Sequence, residues 1–452
     1  MIVMKRKIYN ELSTWKQERK GNVAIMIDGA RRIGKSYIVE EFARSEYQSY
    51  ILVDFNHMDS NLMDIFEQYL SNLDLFFNYL SLYFNVTLYE RNSVIIFDEV
   101  QLYPKARAAI KYLVADGKYD YIETGSLVSI NRNVKDIVIP SEERRIDMFP
   151  MDFEEFVWAI GEEQLMPFIR QCCEKRIPVG PLHRKIMEHF RHYLIVGGMP
   201  QAVLTYIETG NFLQVDAVKR DILKLYKADI EKYAEGNETK VKAIFDEIPS
   251  ALGRHEKKIR LTALKDTARY RDYESAFFWL AESRVVNICY NSTSPNIGLR
   301  LNEERTTLKC YMLDTGLLIS HAFSEKTVKN EDLYLKLALG KLELNEGMLI
   351  ENIVAQMLKA AGHDLYFYSQ YSKEVAEDRM EIDFLIAKPV ISNRHNISPI
   401  EVKSGSGYTL SSLNKLRKKY SSMLAESYLL HTADLKVENE IVYLPLYMAG
   451  LL

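Results

Sequence analysis

The residues Gly29-Ala-Arg-Arg-Ile-Gly34-Lys35-Ser36 have the types and spacing of a loop that wraps phosphate oxygens. Glycines at 29 and 34 let backbone N–H groups turn inward, and a helix opening at the end of the loop adds its partial positive charge. Lys35 would reach the β- and γ-phosphates of ATP, and the Ser36 hydroxyl would ligate Mg²⁺. The candidate nucleotide contacts are Gly29, Ala30, Arg31, Arg32, Ile33, Gly34, Lys35, Ser36 and Tyr37, with Arg31 and Arg32 open between phosphate contact and solvent. In Val94-Ile-Ile-Phe-Asp98-Glu99 an apolar strand delivers Asp98 beside the metal and Glu99 to orient or deprotonate an attacking water. A further strand ends at Thr124-Gly125-Ser126, where Ser126 reads either as a γ-phosphate sensor or as a turn cap. Arg144 and Arg145 read either as a source of transition-state charge or as surface arginines.

A second constellation lies near the C-terminus. Asp383 in Met380-Glu-Ile-Asp383, with Glu401 and Lys403 in Pro399-Ile-Glu401-Val-Lys403, has the D…ExK form of restriction-type nucleases, with Ile382 standing where proline is usual. Residues two apart on a strand share a face, so Glu401 and Lys403 point the same way, and Asp383 joins them if the strands pair. Glu351, Asp383 and Glu401 would then hold Mg²⁺ while Lys403 steadies the water or the charge of phosphodiester attack. Two readings stand: a live nuclease, or an ion-paired sheet edge in a silent fold. The basic run Lys415-Leu-Arg417-Lys418-Lys419 would contact backbone phosphates or simply face water.

The elements that must position these residues follow from hydrophobic pattern. Strands at 23–28, 50–55, 93–98 and 119–124, alternating with helices at 5–20, 36–44 and 62–84, argue for a parallel sheet with crossover helices. Residues 156–233 are helical, interrupted by Pro178, Gly180, Pro181 and Gly197-Gly198-Met199-Pro200. Short helices and strands at 284–290 and 309–313 suggest a winged helix, with Arg269 and Arg271 near the start of its second helix. A final α/β unit has a helix at 342–361, strands at 365–368, 380–387 and 398–403, and a helix at 409–425. His189 and His192 read as ordinary side chains, and the Phe76-Phe77, Tyr79, Leu80, Tyr83, Phe84 stripe as core or subunit contact.

Length and charge bound the rest. At about 150 residues per domain the 452 residues give roughly three domains. A net charge of -4 excludes a global polycation, so nucleic-acid binding would rest on local basic surfaces. Cys172, Cys173, Cys289 and Cys310 form neither a metal pattern nor a disulfide framework, and with no apolar run of 18 residues the expectation is a cytoplasmic chain that spans no membrane.

The run from GARRIGKS through IIFDEVQ, YIETGS, RRIDMFPMDFEEF and GGMP to KCYMLDTGLL resembles the prokaryotic AAA+-type ATPases that carry a C-terminal domain of uncharacterised function with a restriction-endonuclease-like core. The resemblance covers nearly the whole chain and implies ATP binding and hydrolysis by Lys35, Ser36, Asp98 and Glu99. The expected architecture is a multidomain α/β chain: an ATPase domain at 1–156, a helical lid at 157–235, a winged-helix-like domain at 236–325 and a nuclease-like α/β domain at 326–452. The expected cofactors are ATP and Mg²⁺, and the expected partners are DNA or a protein, with homo-oligomerisation open.

Overall fold

The computed structural model describes residues 4–125, 141–234, 236–254, 256–264, 269–296, 298–323, 330–341, 346–371, 379–388, 396–405 and 407–452. Two compact units make up the chain, Val3–Phe149 and Pro150–Leu452.

The first unit is built on strands β1 (Ala24–Asp28), β2 (Ser49–Asp54), β3 (Ser93–Asp98), β4 (Asp120–Gly125) and β5 (Glu143–Asp147), in the order β2-β3-β4-β1-β5 with every neighbouring pair parallel. β1, β3 and β4 are buried along their whole length, as expected of strands covered on both faces. β5 escaped the sequence pattern because Glu143-Arg-Arg-Ile-Asp147 is almost all charged; as an edge strand it buries Ile146 and the Glu143 carboxylate, which pairs with Arg107, while Arg144 and Arg145 are exposed.

A single helix over 62–84 is not what forms. Two helices, Ser60–Tyr69 and Leu73–Phe84, are separated at Asn72, whose side chain accepts the Leu75 N–H at 3.4 Å and starts the second one. The aromatic stripe divides accordingly. Phe76, Phe77 and Leu80 join the core with Phe66 and Phe97, while Tyr79, Leu82 and Tyr83 are exposed.

The second unit begins with helices from Phe153–Ala159 to Glu238–Gly253 and continues into an eight-stranded mixed sheet. Its strands are β6 (Val286–Ser292), β7 (Glu303–Met312), β8 (Tyr366–Gln370), β9 (Met380–Ala387), β10 (Ile397–Val402), β11 (Ser427–His431), β12 (Lys436–Glu438) and β13 (Ile441–Pro445), in the order β12-β13-β11-β10-β9-β8-β6-β7. The strands on either side of the boundary expected at 325/326, β7 and β8, belong to this one sheet. The β6–β7 hairpin is not a free wing: Tyr290 and Asn291 pair in parallel with Tyr366 and Phe367 of β8. Parallel pairing between distant segments leaves no local pattern to read. The helix Tyr270–Glu282 turns Phe277 and Leu280 inward, and Arg269 and Arg271 are exposed at its start.

The GGMP and LDTGLL motifs meet as a packing joint. Gly198 N–H donates to Asp314 Oδ2 at 2.6 Å, and Met151 N–H donates to Gly198 O at 2.7 Å. A Cβ on Gly198 would lie 2.0 Å from Met151 O, which only glycine avoids. No helix among the described residues is long and apolar enough to cross a membrane.

Candidate functional site

The phosphate-type loop runs from the end of β1 into the helix Lys35–Glu46, whose N-cap, Gly34, has φ 92°. Arg32 and Glu99 also adopt left-handed backbone, at φ 67° and 55°. Such non-glycine conformations cost on the order of 1–3 kcal/mol and cluster at working sites. A Cβ on Gly29 would come within 2.5 Å of Met148 O, so the loop start is pressed against backbone. From beneath, buried Arg6 donates to Ile33 O and Phe149 O, both at 2.7 Å. Ile33 is buried, Arg31 half-buried, and Arg32 and Tyr37 exposed.

Lys35 Nζ donates to Gly29 O at 2.9 Å and Ala30 O at 3.0 Å, which holds the ammonium on the loop. Burial pulls its pKa down, against the opposing pull of Glu99, Asp28 and Asp98. Ser36 Oγ donates to Asp98 Oδ1 at 2.8 Å, and Thr124 Oγ1 donates to the same oxygen. The Thr124 hydroxyl in turn accepts the Glu99 N–H at 3.2 Å, and Gln101 Nε2 donates to Glu99 Oε2. Asp98 is mostly buried, and burial raises its pKa, while Thr124 and Ser36 lower it. This convergence follows from strand order, because β4 lies between β1 and β3 and brings Thr124 beside Asp98. Ser126 lies outside the described residues.

In the C-terminal unit the structure brings Glu351, Asp383, Glu401 and Lys403 together, with partners the sequence did not suggest. Asp383 Oδ2 accepts the Val402 N–H at 2.8 Å, and Lys403 Nζ lies 2.7 Å from Glu401 Oε2. Buried Lys309, from β7, lies 3.1 Å from Glu351 Oε1, 3.0 Å from Glu381 Oε1 and 4.0 Å from Asp383 Oδ1. Lys257 and the Tyr311 hydroxyl also donate to Glu351, and Lys258 lies 3.2 Å from Glu381. Burial would raise the Glu351 pKa, but Lys309 and Lys257 bring it down to about 2. Burial and the nearby Asp383 push Glu401 up to about 7.

Of the expected Mg²⁺ ligands, Glu351 and Asp383 thus lie beside Lys309, and Glu401 beside the Lys403 of its own pattern. Among the described residues no group of three or more His, Cys, Asp or Glu is arranged to hold one. The basic helix Ser411–Lys419 is likewise engaged within the protein: Lys415 Nζ donates to Arg379 O at 3.1 Å, and Arg417 pairs with Glu440 at 2.8 Å.

Sequence reading missed Arg6, Thr124, Gln101 and Lys309. Thr124 lies on β4 and could have been found from the two-residue repeat of strand faces; Gln101 lies in the short helical turn Val100–Leu102 after β3, and Arg6 and Lys309 act across distances in sequence that leave no spacing signal.

A family model described as an AAA domain matches residues 21–157. Models of two domains of unknown function, DUF8612 and DUF4143, match residues 187–327 and 346–448. No curated protein matches the chain. Among solved structures, the Walker-type ATPase PABY2304 of Pyrococcus abyssi is 15% identical with a TM-score of 0.41, covering 71% of this chain and 96% of that one. The Thermotoga maritima RuvB Holliday junction branch migration motor is 11% identical with a TM-score of 0.30, covering 63% of this chain and 89% of that one. AMPPCP-bound DnaA from Aquifex aeolicus is 11% identical with a TM-score of 0.27, covering 76% of this chain and 95% of that one. Residues 21–157 of this chain are an AAA-type P-loop ATPase domain.

Proposed function

We propose that the protein binds and hydrolyses Mg-ATP at the Gly29–Ser36 loop, and that its nucleotide state switches the C-terminal unit between states of a scaffold for a protein partner. The observation that carries the ATP reading is the shared Asp98 Oδ1, which gathers the Ser36 and Thr124 hydroxyls at the end of the phosphate-type loop. In this reading the loop N–H groups and Lys35 hold the phosphates, Ser36 and Asp98 hold Mg²⁺, and Glu99 orients the attacking water. Mg²⁺ supplies charge neutralisation at the phosphate oxygens. Thr124 fixes the Asp98 carboxylate and the Glu99 backbone, and Gln101 fixes the Glu99 carboxylate.

For the C-terminal unit, the pairing of Glu351 and Glu381 with Lys257, Lys258 and Lys309, lysines outside the D…ExK pattern, supports the silent-fold reading over the nuclease. The test combines two readouts on wild type and Asp383→Asn: sedimentation with and without ATP, and Mg²⁺-dependent cleavage of single- and double-stranded DNA and RNA. The switch reading expects an ATP-dependent change in assembly that survives Asp383→Asn, with no cleavage by either protein. Cleavage by wild type that Asp383→Asn abolishes would replace it with an ATP-controlled nuclease.

A further inference from the structure

The carboxylate cluster is closed by charges of its own. Glu351 meets Lys257 and Lys309, Glu381 meets Lys258 and Lys309, Asp383 meets Lys309, and Glu401 meets Lys403. Four carboxylates thus face four ammonium groups. Lys309 differs from the other three lysines in depth and reach: its side chain is 1% exposed, and it touches carboxylates from both the helix Glu346–Ala360 and β9. Phe367 covers it, with the ring centroid 5.0 Å from Nζ.

We propose that Lys309 is the resident cation of this cluster, standing between Glu351, Glu381 and Asp383 and so occupying two of the carboxylates, Glu351 and Asp383, that a divalent ion would need. The D…ExK pattern is thereby closed to metal and does no phosphodiester cleavage. This rests on the reading of the C-terminal unit as a silent fold and supplies its cause. An ammonium offers three N–H donors, and three carboxylates surround this one. A divalent ion in the same space would need oxygen ligands at about 2.0–2.6 Å and would face the Lys309 charge at contact distance. Expelling Lys309 would leave a buried ammonium without partners, which is costly. Burial works to lower the Lys309 pKa, but Glu351, Glu381 and Asp383 outweigh it, so the group stays charged.

Titrating Mn²⁺ into the nucleotide-free full chain, read by calorimetry and by the paramagnetic resonance of free Mn²⁺, tests this. Wild type is expected to bind no Mn²⁺ that Asp383→Asn removes. Lys309→Met deletes the charge and keeps the apolar stem; it is expected to gain one Mn²⁺ site, at least about tenfold tighter than anything in wild type, because three carboxylates lose their shared cation. That site should vanish in Lys309→Met/Asp383→Asn and be absent from Lys309→Arg. Any Mn²⁺ at the ATP loop is common to all variants and cancels.

A wild-type Mn²⁺ site lost in Asp383→Asn would overturn the inference, as would a cooperatively melting Lys309→Met that gains none. If Lys309→Met does not fold, Lys309→Gln, which also deletes the charge, is read in its place, and a folded Lys309→Gln that gains no site overturns the inference. No gain in Lys309→Met beside an inert wild type would sink the Lys309 inference alone. Metal binding together with cleavage by wild type would remove the silent-fold reading as well.

Discussion

Thr124→Val removes one hydroxyl at the centre of the proposed ATP site and leaves a side chain of nearly the same shape. Thr124 is completely buried, and its hydroxyl makes two contacts, donating to Asp98 Oδ1 and accepting the Glu99 N–H at 3.2 Å. A hydrogen bond to a charged group is worth about 1.5–3 kcal/mol. At about 1.4 kcal/mol per factor of ten, turnover should fall roughly 10- to 100-fold if the bond matters in the transition state. The pH dependence should change too. Burial raises the Asp98 pKa and Thr124 opposes it, so losing the hydroxyl moves that pKa further up. Because Asp98 works ionised, the acidic limb of the pH–rate profile should shift to higher pH, and the loss should be greater at pH 6 than at pH 8. The assay is steady-state ATP turnover from pH 5.5 to 8.5 for wild type, Thr124→Val and Thr124→Ser, with the serine expected to recover most of the rate. A Thr124→Val protein with wild-type turnover and an unmoved acidic limb would refute the reasoning.

Three further outcomes are expected. Gln101→Leu should lower kcat by about tenfold at constant KM for ATP, since the Gln101 amide holds the Glu99 carboxylate and does not belong to the phosphate loop; a change confined to KM would contradict this. Gly198→Ala should destabilise the C-terminal unit by about 3 kcal/mol in denaturant unfolding, because its Cβ would sit 2.0 Å from Met151 O and backbone must move; an unchanged midpoint would count against the packing joint. Glu123 is fully buried, and burial together with Glu143 raises its pKa well above 4.5. The unfolded chain loses that proton above about pH 4.5 while the folded chain keeps it, so this group takes stability away as pH rises. Glu123→Gln should flatten the loss between pH 5 and pH 8, and parallel curves for the two proteins would show that Glu123 does not titrate in the fold.

The shape of the phosphate-type loop was legible because it is local. Gly29, Gly34, Lys35 and Ser36 act within one turn between a strand and a helix, and an apolar run ending in Asp98 marks a strand covered on both faces. What could not be read is what distant segments do to one another. Nothing in Glu143-Arg-Arg-Ile-Asp147 says strand, because what it turns inside is one apolar side chain, Ile146, and a carboxylate, Glu143, held by the distant Arg107. Nothing near Lys309 announces that its ammonium meets Glu351 and Glu381, since Glu351 stands on a distant helix and the hairpin joins the sheet of Glu381 by a parallel pairing. The carboxylates of a metal site and those of a closed ion-pair cluster share one sequence pattern; only the position of the lysines separates them.

ATP turnover by the purified chain, with Lys35→Ala and Glu99→Gln beside it, tests the central claim most directly. The account predicts measurable turnover in wild type, loss of both nucleotide binding and turnover in Lys35→Ala, and retained binding without turnover in Glu99→Gln. Turnover that persists in both variants would place hydrolysis elsewhere, and wild-type protein that binds no ATP would contradict the account.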